Sequence, residues 1–222
     1  MALVKNKVIF VHINKSGGSF IVHNINKNFK NTIGIGHRSL NDIYKKYHPN
    51  MTTRVATIVR NPYERMVSMY HFYKYATKDA YGNYYPGAIA DNTAAFFSLD
   101  EEDNKTFNNW IKYIYSDKFN RKNTHSAINI FNYCYSNQLN WLMPYNKNNI
   151  TIFRFEDKDL YKKIRKWFNK ELNIYDLDLK TKLATSKHLH YSTYYNEESK
   201  SLVQKHYQKD IDFFGYTFDN IN

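Results

Sequence analysis

The sequence predicts an α/β protein whose central sheet is mostly parallel and carries helices on both faces, built as one domain over residues 1–222. Three segments carry that expectation, because each runs in the same order: a short β-branched stretch, a break, then apolar residues at helical spacing. Strands that alternate with helices pair in parallel, since the helix supplies the crossover between neighbours.

The first segment runs from Val8 to Ile13 into a turn at Gly17 and Gly18, after which Phe20, Ile21 and Ile25 recur on one helical face. In the second, "RVATIVRNPYERMVSMYHFYKY", the strand is Val55 to Val59 and the break is Arg60 and Asn61. Pro62 suits a first helical position, where a missing N–H costs nothing, and Met66, Val67, Tyr70 and Tyr73 follow on one face. The third places a strand at Ile150 to Phe153 before a helix holding Leu160, Ile164 and Trp167. A further strand is expected around Ile33 to Ile35 and a helix around Phe107 to Tyr115. A last helix, from about Asn196 to Lys209, carries Leu202, Val203, His206 and Tyr207, and "FFGYTF" packs the end of the chain. Between these lie two irregular stretches, Ala76 to Lys105 and Ser116 to Asn137, the first with the turn formers Gly82, Pro86 and Gly87; loops of this length serve as binding loops or lids.

Composition narrows the function classes. With 42% hydrophobic and 23% charged residues, the 222-residue chain can bury a sizeable core. No apolar run approaches the roughly 20 residues of a membrane span, and Val8 to Ile13 is interrupted by His12, so neither a signal peptide nor an anchor is expected. The one cysteine, Cys134, rules out an intramolecular disulfide, and a soluble, intracellular or cytoplasmic protein is the expectation. A formal charge of +12, from 32 Lys and Arg against 20 Asp and Glu, favours an anionic partner: nucleic acid, a polyanionic glycan or a phosphorylated cofactor. Zinc-finger spacing, an RNP-like strand and a basic arm are all missing, which argues against nucleic acid.

The loop "HINKSGGSF" is built like a phosphate loop with its lysine displaced, for Lys15 precedes Gly17 and Gly18 and nothing basic follows them. At such a strand–loop–helix junction the backbone N–H groups carry the positive end of the helix dipole. Gly17 and Gly18 let the backbone come close to a ligand, Lys15 adds a point charge, and Ser16 and Ser19 add hydroxyl donors. Arg60 stands at a second strand end, with Ser68 two helical turns beyond, and strand ends beside helix starts are where open α/β sheets bind ligands. A plain glycine turn with a solvated lysine, a helix-capping or carboxylate-paired arginine and an ordinary helical serine are the alternative readings of these residues taken singly. Two such sites together suit a ligand with two phosphate-type groups.

"HINKSGGSF" resembles the phosphosulfate loop of sulfotransferases that use 3′-phosphoadenosine 5′-phosphosulfate (PAPS), and "IVRNPYERMVSMYHFY" resembles their 3′-phosphate signature. "FRFEDKDLYKKI" and "LVQKHYQKDIDFFGY" are similar to later segments of the carbohydrate branch, which contains heparan sulfate 2-O and chondroitin enzymes. The resemblance implies a P-loop-like three-layer sandwich and an enzyme moving a sulfuryl group from PAPS, with adenosine 3′,5′-bisphosphate (PAP) as product, to a carbohydrate hydroxyl. It implies that Lys15, Ser16, Gly17, Gly18 and Ser19 hold the 5′-phosphosulfate, and that Arg60 and Ser68 hold the 3′-phosphate. Asn14 departs from the usual proline, and Phe20, placed with the cofactor residues, from a small polar residue. Lys187, in "LATSKHLHY", matches a region that closes over the nucleotide in related enzymes.

Sulfuryl transfer needs a cation at the leaving oxygen and a base for the acceptor hydroxyl. Lys15 is the candidate cation. His37, in "GIGHRSL", falls where 2-O-sulfotransferases of this branch place their catalytic histidine, and a loop histidine bonded to a backbone carbonyl is its other reading. His12 is expected to be structural, with Glu64, His71, His125 and His188 in reserve. Acceptor contacts are expected from Tyr81, Tyr84, Tyr85 and Trp141. No metal site is expected. Two alternatives stay open: a nucleotide-dependent phosphotransferase, against which the absent Gly-Lys-Ser/Thr counts, and a non-catalytic protein holding a nucleotide or polyanion.

Overall fold

Val8 to Val11 form an entirely buried strand, as the unbroken apolar run requires of a parallel sheet covered on both faces. In the computed structural model it is the second strand, β2. Residues 2–4, 7–30, 32–34, 37–74, 77–78, 84–85, 103–117, 136–144, 146, 148–174, 179 and 188–219 are described. The other sheet strands are β1 (Ala2–Val4), β3 (Thr32–Gly34), β4 (Arg54–Val59) and β7 (Ile150–Arg154); β5 (Thr77–Lys78) and β6 (Tyr84–Tyr85) form a separate antiparallel pair. The five-stranded order is β3-β1-β2-β4-β7. β2 pairs in parallel with β4 (Val8 opposite Arg54), and β4 with β7 (Val55 opposite Ile150). β1 is antiparallel to both β2 and β3, so β3 points the same way as β2 and β1 alone runs against the sheet.

The chain divides into two compact units, residues 1–60 with 138–184, and residues 61–137 with 185–222. The first contains the whole five-stranded sheet. Helices α1 (Gly18–Asn28) and α5 (Leu160–Leu172) share one core with it, where Phe10 and Ile58 meet Ile21, Ile25, Ile164 and Phe168. A short helix α2 (Leu40–Tyr47), absent from the sequence expectation, starts at a reciprocal cap in which Ser39 Oγ accepts from the Asp42 N–H at 3.2 Å and Asp42 Oδ2 from the Ser39 N–H at 3.3 Å.

The second unit has a helical core of its own. Helix α3 (Pro62–Lys74) begins at the expected proline, with Asn61 Oδ1 accepting from the Tyr63 N–H at 3.0 Å. With α4 (Asp103–Ile114) and α6 (Glu197–Phe214) it buries Tyr63, Tyr70, Phe107, Trp110, Tyr194 and Tyr207. Much of the chain's aromatic content is therefore core. α6 ends at Gly215, whose φ of 64° is the left-handed stop, and Phe214 and Tyr216 pack beside it as "FFGYTF" suggested. Among the described residues no helix is long and apolar enough to cross a membrane.

Candidate functional site

The parallel strands β2, β4 and β7 are neighbours, so their C-terminal ends bring three segments to one edge: the loop 12–17, Arg60 and Phe155. The loop turns through two left-handed residues, Lys15 at φ 60° and Gly17 at φ 83°. Glycine is required at 17 and 18 for packing as well as for ligand approach. A Cβ on Gly17 would stand 2.6 Å from the Phe155 ring, and one on Gly18 would stand 2.5 Å from the His12 ring. Among the described residues no side chain caps α1, and its first turn has no acidic residue, so the N–H groups of Gly18, Ser19 and Phe20 open the helix at the positive end of its dipole.

Arg60 is bound into this loop. Its Nη1 donates to the Lys15 carbonyl at 3.2 Å, and its guanidinium carbon lies 4.1 Å from the Phe155 ring centroid. The Arg60 peptide is paired at both ends with the side chain of Gln138, which is fully buried: the Arg60 N–H donates to Oε1 at 2.9 Å, and Nε2 donates to the Arg60 carbonyl at 2.7 Å. Ser16 Oγ donates to the same Oε1 at 3.1 Å. Burial first, and then the Arg60 charge, lower the Lys15 pKa from 10.5 to about 7. Lys15 keeps part of its surface open to solvent, so an anion arriving there reverses the shift by supplying the missing counter-charge.

His37 meets the loop from the other side. Its Nδ1 lies 3.2 Å from the His12 carbonyl, its ring centroid is 4.4 Å from that of His12, and the Trp141 ring stands edge-on at 6.5 Å. A ring nitrogen facing a carbonyl carries the proton, which leaves Nε2 as the lone-pair nitrogen. The residue as a whole is exposed, yet desolvation of its imidazole lowers its pKa to about 4, and the hydrogen bond to the His12 carbonyl opposes that shift. β1 separates β3 from β2 in the sheet, and His37 nevertheless reaches the β2 loop. His12 is buried with Nε2 3.3 Å from Ser19 Oγ, and its pKa is lowered by desolvation and by His37.

The structure thus brings Lys15, Ser16, Gly17, Gly18, Ser19, Arg60 and His37 to one edge of the first unit. Phe20 turns its side chain into the core against Tyr161, with ring centroids 4.8 Å apart, and so offers a ligand only its backbone. Trp141 is buried beside His37 and shapes the surroundings of that histidine. Ser68 is buried in α3 of the second unit. There too His71 Nε2 is 3.0 Å from the Tyr194 hydroxyl and its ring stacks on His188 at 5.1 Å, while Glu64 sits half-buried in the first turn of α3. Tyr84 and Tyr85 form β6; Tyr81, His125 and Lys187 lie outside the described residues. Sequence reasoning did not single out Gln138 or Phe155, because neither belongs to a spacing pattern that announces its partners.

The Sulfotransferase family model matches residues 3–217. Among solved structures, the chain is similar to a mouse sulfotransferase complexed with PAP, at 14% identity and a TM-score of 0.48, over 93% of this chain and 84% of that one. No curated protein matches the sequence. Since the family's pattern extends over nearly all of the 222 residues, the chain belongs to the sulfotransferase family.

Proposed function

We propose that the protein moves a sulfuryl group from PAPS to an acceptor hydroxyl, and that the acceptor is a carbohydrate. The observation that carries the cofactor reading is the joining of Lys15 and Arg60 at an uncapped helix start, with Arg60 Nη1 on the Lys15 carbonyl. Two cations, the exposed Ser19 hydroxyl and the N–H groups of the helix start form a donor set for a ligand with two anionic ends, whereas the Ser16 hydroxyl is buried and given to Gln138. When bound, PAPS would supply the sulfuryl group, with its 5′-phosphate leaving as part of PAP. Lys15 balances the charge that builds on the leaving oxygen, and the N–H groups of Gly18 and Ser19 orient the phosphate. Arg60 takes the 3′-phosphate, and the role of Ser68 rests on the family resemblance alone. His37 accepts the acceptor's hydroxyl proton at Nε2, while its Nδ1–H stays on the His12 carbonyl.

The carbohydrate acceptor rests on the +12 charge, which suits an acidic glycan, and on the resemblance to carbohydrate enzymes. Calorimetry tests the cofactor: PAP is to bind more tightly than adenosine 5′-phosphate, and Arg60→Ala is to remove most of the difference, roughly 1.5 to 3 kcal/mol for a charge-assisted contact. Equal affinities, or a larger thermal shift with ATP and Mg²⁺ than with PAP, overturn it. Transfer of labelled sulfate to polysaccharides, simple sugars, phenols and tyrosine peptides tests the acceptor, and transfer to phenols alone refutes the glycan.

A further inference from the structure

We propose that Gln138 is a positioning residue that sets the Arg60 guanidinium relative to the Lys15 loop and thereby gives the site its selectivity for a nucleotide carrying two anionic groups. The inference rests on the PAPS reading of the site. A primary amide has one oxygen able to accept twice and two N–H groups to give. In Gln138 the oxygen takes both the Ser16 hydroxyl and the Arg60 N–H, and the nitrogen serves the Arg60 carbonyl. Reversing the amide would set N–H against N–H and oxygen against oxygen, so the Arg60 peptide fixes its orientation.

The bonds form a closed circuit. Ser16 reaches Gln138, Gln138 holds the Arg60 peptide, Arg60 Nη1 returns to the Lys15 carbonyl, and Lys15 is bonded covalently to Ser16. The circuit holds Lys15 at φ 60°, a left-handed conformation disfavoured for a side chain with a Cβ. It also fixes where the Arg60 side chain begins, and the Phe155 ring beneath the guanidinium limits where it ends. A displacement of the Arg60 peptide therefore shifts one cation directly and the other through its carbonyl. Gln138 is fully buried with its amide bonded to Ser16 and the Arg60 peptide, so it acts through those two residues.

The test is a double-mutant cycle read by calorimetry with PAP and adenosine 5′-phosphate. Gln138→Leu is to lower the preference for PAP by about tenfold or more, with a smaller change for adenosine 5′-phosphate, and Arg60→Ala is to cost far less in the Gln138→Leu background than in the wild type. A melting temperature that falls while the preference stays at its wild-type value assigns Gln138 a purely structural role and overturns the inference, as does full additivity of the two substitutions. Gln138→Met, neutral and close to the wild-type side chain in length, covers the case in which Gln138→Leu fails to fold. It removes all three contacts, so a lowered preference is expected and an unchanged one refutes positioning. A wild-type protein without preference for PAP refutes the cofactor reading and this inference with it, whereas a preference that survives in Gln138→Leu refutes this inference alone.

Discussion

At Lys15 the free protein holds an ammonium whose pKa burial and Arg60 lower to about 7, and at His37 an imidazole lowered to about 4. The two shifts act on opposite requirements. Lys15 works when protonated, so activity falls as pH rises through 7; His37 works when neutral, so activity falls as pH drops through 4. Because kcat/KM reports the free enzyme, its pH profile is to be bell-shaped with limbs near these values. A rising limb near the ordinary histidine value, about 6.5, would contradict the lowered His37. In Lys15→Ala the alkaline limb is to disappear, and in His37→Ala kcat is to fall roughly 10²- to 10⁴-fold with PAP affinity nearly intact. Loss of PAP affinity in His37→Ala would make it a nucleotide ligand.

At the scale of elements, helix starts differ in a way that separates binding from stability. α2 and α6 begin with reciprocal side-chain caps, and at α6 Asn196 Oδ1 accepts from the Ser199 N–H at 2.9 Å while the Asn196 N–H bonds Asn108 Oδ1 of α4 at 3.1 Å. Among the described residues no side chain caps α1 or α5, and at α1 the adjoining Lys15 and Arg60 make an anion the fitting cap. Asn196→Ala is to cost about 0.5 to 2 kcal/mol in denaturant melts, and Asn196→Gly only a few tenths. Equal losses for Ala and Gly would assign the effect to packing against α4. The start of α3 was legible because Pro62 suits a first helical position, whereas Asn61 read only as part of the break and the structure makes it the cap. α2 was not, although Ser39 and Asp42 stand at capping distance, because a helix of 8 residues offers too few turns for a periodic apolar face. β1, a strand of only 3 residues, was not read either.

Over the whole molecule, the +12 charge produces a field that draws in anions and that salt screens. If the acceptor is an acidic glycan, its KM is to rise several-fold between about 50 and 200 mM salt, where the screening length shortens appreciably. A neutral sugar is to show little change. Salt-independent KM values for every active acceptor would remove charge from the argument for a glycan and leave the family resemblance as its support.

The sequence by itself determined the strand–loop–helix units, the lysine-bearing loop, the arginine at a strand end and the prolyl start of α3. Each is a local pattern, written in residues that are neighbours in the chain or recur at the period of one element. Tertiary structure alone decided what those residues meet. Gln138 bonds Ser16 across 122 positions and Arg60 across 78, separations at which no periodicity links the partners. The packing of Phe155 and His12 against Gly17 and Gly18 is likewise a meeting of distant or folded-back segments. The charge states of Lys15 and His37 follow from desolvation, and desolvation exists only once the surrounding chain has closed over the group.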